Sequence, residues 1–517
     1  MKLEDLQDAI GNLNDNIVTE AGKVRRKRTR PLRYRVVAVA AAVAIFVTGF
    51  IVIQNIRQHG ELPVSPDTSK DHTVMTNISQ NEPETTDKPH RAWQTDLVSG
   101  IAALAMPEYP VMHEYPSEEL LYGSIDDQEA YDRAHTAWMS DRKRQRYQPQ
   151  GYQDGVMAFA RETNRLLLTS DGENRVYSPI NVYLAMSLLA ETSGGDTRTE
   201  ILQVLGVDSI KELHNKVDSL WNAHYMDDGH TTSLLANSIW LDKSLSIKKE
   251  TMEILQDTYK ASAFQGDMRS AAMAEQLQKW LNAQTDNLLE SNVESAAFDE
   301  DTLMALTSTI LFRAKWVDEF SVGKTTKDTF HSPTGPVEAD FMSESGNNIY
   351  YWGDKFAAVN KSLIDSGGMW FILPDEGVRV EELLDDPQVN ALLEDCSTYK
   401  QQKYLVVNFK VPKFDVTSEI KLEKALQELG IETAFTAEAD FSPISDNTDL
   451  YVSGANHAAR VMIDEKGVTG AAYTIILVGA VPPPDEIVDF VLNRPFLFVV
   501  QGHDGVPLFV GIVNRPQ

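Results

Sequence analysis

Hydrophobic and polar positions divide this chain into three regimes. Residues 36–53 read VVAVAAAVAIFVTGFIVI, eighteen residues without a charge, at the lower end of what crosses a bilayer as a helix. Residues 54–92 are rich in Pro, Ser, Thr, Asn, Asp and Glu and poor in aromatics, so they bury too little surface to offset the entropy of ordering and read as a disordered stalk. From residue 151 the pattern is that of a packed body. Asp154–Leu168 sets Val156, Phe159, Ala160, Thr163 and Leu167 on one helical face. Ser178-Pro179 is a cap followed by a first-turn proline. The helix it starts runs through Ala185–Ala190 and stops at Gly194-Gly195. Thr197–Leu205, Lys248–Tyr259, Ala272–Leu289 and Glu419–Leu429 are further expected helices. Ser233–Trp240, Tyr404–Val411, Phe496–Val500 and Leu508–Val513 are expected strands, the last two joined by a turn over 502–505. Helices and strands mix without a regular βαβ period, which predicts an α+β fold.

Charge gives the front end a direction. Residues 1–57 carry ten Lys/Arg and five Asp/Glu, against a formal net charge of −29 for the whole chain. Seven of those basic side chains fall in Arg25–Arg35, and basic residues flanking a span stay cytoplasmic. The expected order is a cytoplasmic tail (1–35), an uncleaved signal anchor (36–53), the stalk, an N-terminal extension (93–150) and a body (151–517) outside the cell membrane. The rival is a cleaved signal peptide, for which the apolar stretch and its polar lead are both long. The extension has an apolar patch, Leu97–Met106, a Pro/Tyr segment, Pro107–Pro116, and a charged helix-like run, Asp126–Arg146. It is expected to pack partly on the body, and no function is legible in it.

A body this acidic repels nucleic acid and anionic glycans. The one cysteine, Cys396, excludes an intramolecular disulfide and a multi-cysteine metal site. Glu394 and Asp395 precede it, an acidic setting that argues against a catalytic thiol. No cofactor or metal is expected.

Five segments then identify a family. NRPFLFVV (Asn493–Val500) with PLFVGIVNRP (Pro507–Pro516) resembles the serpin C-terminus. VYSPINVYLAMSLLAETSGGDTRTEILQVLG (Val176–Gly206), LANSIWLDKSLSI (Leu235–Ile247), ILFRAKWVDEF (Ile310–Phe320) and IDEKGVTGAAYT (Ile463–Thr474) resemble further serpin blocks in the family's order. The chain is similar to a bacterial-type, membrane-anchored member of that family. The resemblance implies a large mixed sheet with helices, an exposed reactive-centre loop and a monomer that is not an enzyme. It also implies a mechanism: a serine protease cleaves the loop as a substrate and is held as a covalent acyl-enzyme while the freed loop inserts as a new strand, a release of stored strain.

The loop sequence can be read against that demand. A buried strand excludes Pro and inward charge, and Gly467–Val481 has neither. The implied hinge is Glu465, Gly467, Val468, Thr469, Gly470, Ala471 and Ala472. The family usually has Thr or Ser at the place of Val468 and Glu at that of Thr469, and neither departure adds inward charge. Alternation puts Val468, Gly470, Ala472, Thr474 and Ile476 on one face and Tyr473 on the other. Pro482-Pro483-Pro484 closes the stretch. Counting from the hinge places the scissile bond between Val481 and Pro482. Most serine proteases cut poorly before proline, so Ala480–Val481 is the better chemical choice, while counting back from Asn493 gives a site near Pro484. A small residue before the bond suits an elastase-like pocket.

The resemblance also implies a shutter of Ser178, Asn181, Ser308 and His457 under the sheet and a breach tryptophan, Trp316. Asn181 replaces the family's second Ser, and Ser308 its Asn, an exchange that conserves hydrogen-bonding capacity. Ser178 is a cap rather than a nucleophile, and no Gly-x-Ser-x-Gly elbow supports a hydrolase. The alternative to an inhibitor is a non-inhibitory serpin-fold binding protein.

Overall fold

Local capping explains where several helices begin. The computed structural model describes residues 96–169, 172–288, 298, 302–446, 450–468 and 486–516; the tail, the 36–53 stretch and the stalk lie outside them. Strand β1 (Ala102–Ala105) precedes helix α1 (Ile125–Arg146), which opens with a Ser124–Asp127 capping box. Acids lie in its first turn and Lys143, Arg144 and Arg146 in its last, as the helix dipole favours. Helix α2 (Asp154–Leu168) and strand β2 (Arg175–Tyr177) come after it. Helix α3 (Pro179–Thr192) is capped by Ser178, whose hydroxyl accepts from Asn181 N, and is buried on every side. Then come α4 (Gly195–Val204), α5 (Ile210–His224), β3 (Met226–Asp227), β4 (Thr232–Asp242), α6 (Lys249–Asp257), β5 (Ala261–Gly266), α7 (Ala271–Thr285) and β6 (Met304–Lys315).

The second half is mostly strand: β7 (Thr326–Ser332), β8 (Gly335–Trp352), β9 (Phe356–Leu363), β10 (Gly367–Pro374), helix α8 (Pro387–Glu394), β11 (Gln402–Pro412) and β12 (Phe414–Lys421). Helix α9 (Glu423–Glu428) leads to β13 (Asn456–Ile463), β14 (Gly467–Val468), β15 (Ile487–Val491), β16 (Phe496–Gln501) and β17 (Pro507–Val513). Glu419–Leu429 is not the single helix expected, because β12 runs to Lys421 and α9 starts at Glu423. Phe414, Val416, Ser418 and Ile420 are buried in alternation, a period of two that belongs to a strand.

Two sheets result. The first runs β1-β5-β4-β6-β14-β13-β12, with β3 on β4; the second runs β15-β11-β8-β9-β10-β16-β17-β2, with β7 on β8. The fold is α+β. The main core lies beneath the first sheet around α3. A smaller cluster on the sheet's other side packs α7 through Trp280 against Trp240, which stacks on Phe264 at 4.6 Å.

The described part of the extension docks on this body through apolar side chains, with Ile101, Ala105, Tyr109 and Met112 joining or packing on its cores, and through polar anchors. β1 adds to the edge of the first sheet beside β5. Trp138 Nε1 donates to Asp228 Oδ2 at 2.9 Å, and Tyr115 N donates to Asp228 O at 2.8 Å. The buried Arg142 guanidinium reaches the carbonyl of Asp365. Among the described residues no helix is long and apolar enough to cross a membrane; the 36–53 stretch is not among them.

Candidate functional site: a short strand at the sheet centre and its hinge

The first sheet is interrupted at its centre. β6 and β13 run in the same direction, and at their C-terminal ends the two residues of β14 lie between them, antiparallel to both. Gly467 pairs with Lys315, and Val468 with Ala314 on one side and Ile463 on the other. Among the described residues no strand continues β14 downward between β6 and β13. The hinge residues Thr469, Gly470, Ala471 and Ala472, and Ala480, Val481 and Pro482 around the candidate bond, lie outside the described residues.

The upper end of this gap is tightly built. A Cβ on Gly467 would sit 2.3 Å from Ala314 O, so only glycine lets the backbone approach β6 this closely. Val468 is 2% exposed. Asp464 Oδ1 accepts from the backbone N–H of Lys466 (2.8 Å) and Gly467 (3.1 Å), fixing the turn from β13 into β14. Glu465 accepts from Thr325 Oγ1 at 2.7 Å and pairs with Lys413 Nζ at 2.7 Å. Burial pushes its carboxyl pKa up, but these two bonds outweigh that and hold it below the ordinary value. Trp316, buried at 1% exposure, donates Nε1 to Asp464 O and its backbone N–H to Lys466 O, both at 3.0 Å. Its neighbour Phe320 carries Lys361 Nζ 4.3 Å above the ring, and Lys361 pairs with Glu344 at 2.7 Å.

The lower end is a polar cluster beside an apolar cavity. Ser178 caps α3 and donates its backbone N–H to His457 Nε2 at 3.0 Å. Burial pushes the His457 imidazole down to about 4, so at neutral pH it is uncharged, with Nε2 as acceptor and the proton on Nδ1. Ser308 Oγ lies against the side-chain oxygen of Asn181 and bonds Asn237 Oδ1 at 2.8 Å. All four expected shutter residues therefore meet in one cluster, joining α3, β6 and β13. The cavity beside it is lined by Val182, Met186, Met304, Leu306, Ala455 and His457, among others. Among the described residues no group of three or more His, Cys, Asp or Glu could hold a metal.

Some participants escape a reading of the sequence. Asn237 enters the shutter because β4 pairs with β6 in a register that places it opposite Ser308, and only that pairing marks it out from its neighbours. Lys413 and Thr325 reach Glu465 from more than fifty residues upstream. An unpaired Lys after a strand gives no local sign of its partner.

A mixed sheet in which a short strand, β14, enters between β6 and β13 at one end defines the fold's central feature. The family model described as serpin (serine protease inhibitor) matches residues 154–516, and this chain belongs to that family, whose members are generally inhibitors that bind serine proteases rather than catalysts. Serpin-Z1C of Triticum aestivum is 30% identical over 367 residues, covering 67% of this chain and 91% of that protein. Human neuroserpin is 28% identical over 377 residues, covering 68% and 89%. Among solved structures, the thermophilic serpin tengpin in its native state superposes with a TM-score of 0.64 at 24% identity, over 72% of this chain and 95% of that one. Human thyroxine-binding globulin reaches 0.62 at 20% identity, over 71% and 99%. The likenesses at this low identity show the fold alone.

Proposed function

We propose that the chain is a suicide inhibitor of serine proteases with an elastase-like preference, held at the cell surface by residues 36–53 and acting outside the cell. The observation that carries this reading is the double pairing of Val468. A two-residue strand bonded on both sides, Val468 between Ala314 and Ile463, supplies a register from which a ladder could be extended. A loop inserting in that register would bring Gly470 to Phe312 and Val461, Ala472 to Ile310 and Ala459, and Thr474 to Ser308 and His457. Small residues would then meet Phe312 and Ile310, and the Thr474 hydroxyl would meet the polar cluster, as buried polar groups require. No proline or charge intervenes between Gly467 and Val481, so each further residue can add ladder hydrogen bonds.

The preferred bond is Ala480–Val481, because proline comes directly after Val481. The decisive experiment mixes the full-length chain, solubilised in detergent, with pancreatic elastase, trypsin and chymotrypsin. The expected result is a complex with elastase that survives boiling in detergent, with cleavage mapped by mass spectrometry to Gly479–Pro482. Clean cleavage without a complex favours the non-inhibitory binding protein instead, and fast trapping of trypsin alone sinks the elastase assignment. Protease shaving of intact cells expressing the chain tests the tether: the body should be released and residues 1–35 protected.

A further inference from the structure

We propose that Ile349, Tyr404, Val406 and Ile487 form a secondary docking surface for the attacked protease, beside the C-terminal end of the reactive loop. This inference rests on the inhibitor reading above and names a second place where the same partner touches the chain.

The four residues come together through strand register. β11 pairs with β8 so that Tyr404 lies opposite Ile349, and with β15 so that Val406 lies beside Ile487. Along β11 the odd positions Leu405, Val407, Phe409 and Val411 are buried, so the even positions face outward. Outward positions on a one-sided sheet are ordinarily polar. Further along the same face that rule holds: Ser345, Asn408 and Asp489 form one cross-strand row, linked by 2.7 Å hydrogen bonds. Next to the loop it gives way around Asn347, which stands opposite Val406: Ile487 is 67% exposed, Tyr404 46% and Ile349 36%. The Lys403–Glu486 ion pair (2.6 Å) stands at the rim of this apolar end. A contiguous apolar patch with a polar rim is the pattern of a contact surface.

Chain geometry selects the occupant. Ile487 lies six residues after Val481, and six residues span at most about 21 Å when fully extended. A protease domain of roughly 200 residues has a radius of gyration of about 16–17 Å, hence an outer radius of about 21 Å. A protease whose active site is centred on the bond within Gly479–Pro482 therefore overhangs Ile487 and its row. Exposed Tyr and apolar side chains beneath that overhang lose water when the protease is seated. The patch thus adds affinity to the encounter complex without entering the insertion step, which takes place between β6 and β13 in the other sheet.

The test compares full-length wild type with Tyr404→Ser, Ile487→Ser and the double variant against elastase, subtilisin, chymotrypsin and trypsin. Association rates, the ratio of covalent complex to cleaved loop, thermal midpoint and oligomeric state are measured for each. For a protease that wild type traps, the double variant should associate at least tenfold more slowly. The complex-to-cleaved ratio, midpoint and mass should not move, and Tyr404→Phe should keep the wild-type rate. Rates within twofold of wild type for every trapped protease overturn the proposal. So does a changed ratio at unchanged rate, which would make the patch an anchor for the loop, or a changed mass, which would make it a self-association face. A wild type that traps none of the four overturns the inhibitor reading and this proposal with it; a trapped protease indifferent to the substitutions overturns this proposal alone.

Discussion

The two ends of the gap between β6 and β13 are held shut by different physics. At the upper end the backbone does the work: β14 bonds to both neighbours, Asp464 locks the turn, and Gly467 allows an approach that no other residue permits. At the lower end the hold is made by side chains and is indirect: Ser308 on β6 and His457 on β13 each reach back to α3 and its cap beneath, with a cavity alongside. A ladder can be extended one residue at a time, whereas a cluster of buried polar groups must be opened and re-satisfied as a unit. The difference teaches where the proposed insertion would start and where it would meet resistance: at the ladder of β14, and at the polar cluster.

The sharpest way to break this comparison is at its upper end. Val468→Arg puts a guanidinium at a position that is 2% exposed, between Ala314 and Ile463 with no carboxylate opposite. An unpaired charge there is costly enough to hold the hinge out of the sheet. The protease should still cleave the loop, but the ratio of covalent complex to cleaved product should fall at least a hundredfold. Unchanged trapping by this variant would refute insertion as the mechanism.

At the lower end the test is pH. His457 is held neutral by burial, at about 4 against its ordinary 6.5. The unfolded chain takes up a proton as pH falls below 6.5 and the folded chain does not until about 4, so stability is lost across that window and levels off beneath it. The difference is worth about 3 kcal/mol. Urea midpoints measured from pH 7.5 to 4 should fall more steeply for wild type than for His457→Gln. His503, also pushed down to about 4 by burial, contributes in the same direction, so His503→Gln is the companion control. Equal slopes for wild type and His457→Gln would mean that the shutter histidine is not held neutral by the fold.

How much of the fold and the site is legible in the sequence divides along the same line. Local signals are plain: the Ser178-Pro179 start of α3, the terminal strands around 502–505, and a stretch from Gly467 free of charge and proline all come from short-range rules. The hinge's pairing partners, the Glu465–Lys413 contact and the place of Asn237 depend on register between strands distant in sequence, which no window of residues contains. The Glu419–Leu429 segment shows the cost at a boundary, where a two-residue step from β12 to α9 averages into one helical pattern. In the extension the apolar patch Leu97–Met106 is legible and packs on the body, but its helix is harder. α1 is charged and lacks an apolar stripe, and what docks it is a set of polar anchors, Trp138 to Asp228 and Arg142 to the Asp365 carbonyl, that cannot be inferred before the body is folded.

A smaller effect sharpens the upper end. Gly467→Ala forces β14 away from β6, because the added methyl would sit 2.3 Å from Ala314 O. Overpacking of this kind costs about 1–3 kcal/mol. The thermal midpoint should drop, and hydrogen exchange at the Gly467 and Val468 amides should quicken without change at β12. Unchanged exchange there would show that the hinge is not held by close backbone approach.

The smallest expected effect concerns Glu465 and Lys413. The carboxyl is 9% exposed but the ammonium is 36% exposed, so solvent screens the pair and its worth is held to about 1 kcal/mol or less. The sign is fixed by the lowered carboxyl: the contribution is present above the ordinary glutamate value and is lost as pH falls through the lower folded value. A double-mutant cycle with Glu465→Gln and Lys413→Met, read by urea unfolding at pH 7 and again at pH 3, should give a coupling of up to about 1 kcal/mol at the higher pH that shrinks at the lower. Thr325 still donates to the residue at 465 in the Gln variant, so the cycle isolates the ion pair from the hydrogen bond. A coupling that is equal at both pH values would assign the hold on this turn to Thr325 and the backbone, and the upper end of the gap would then be closed by hydrogen bonds alone.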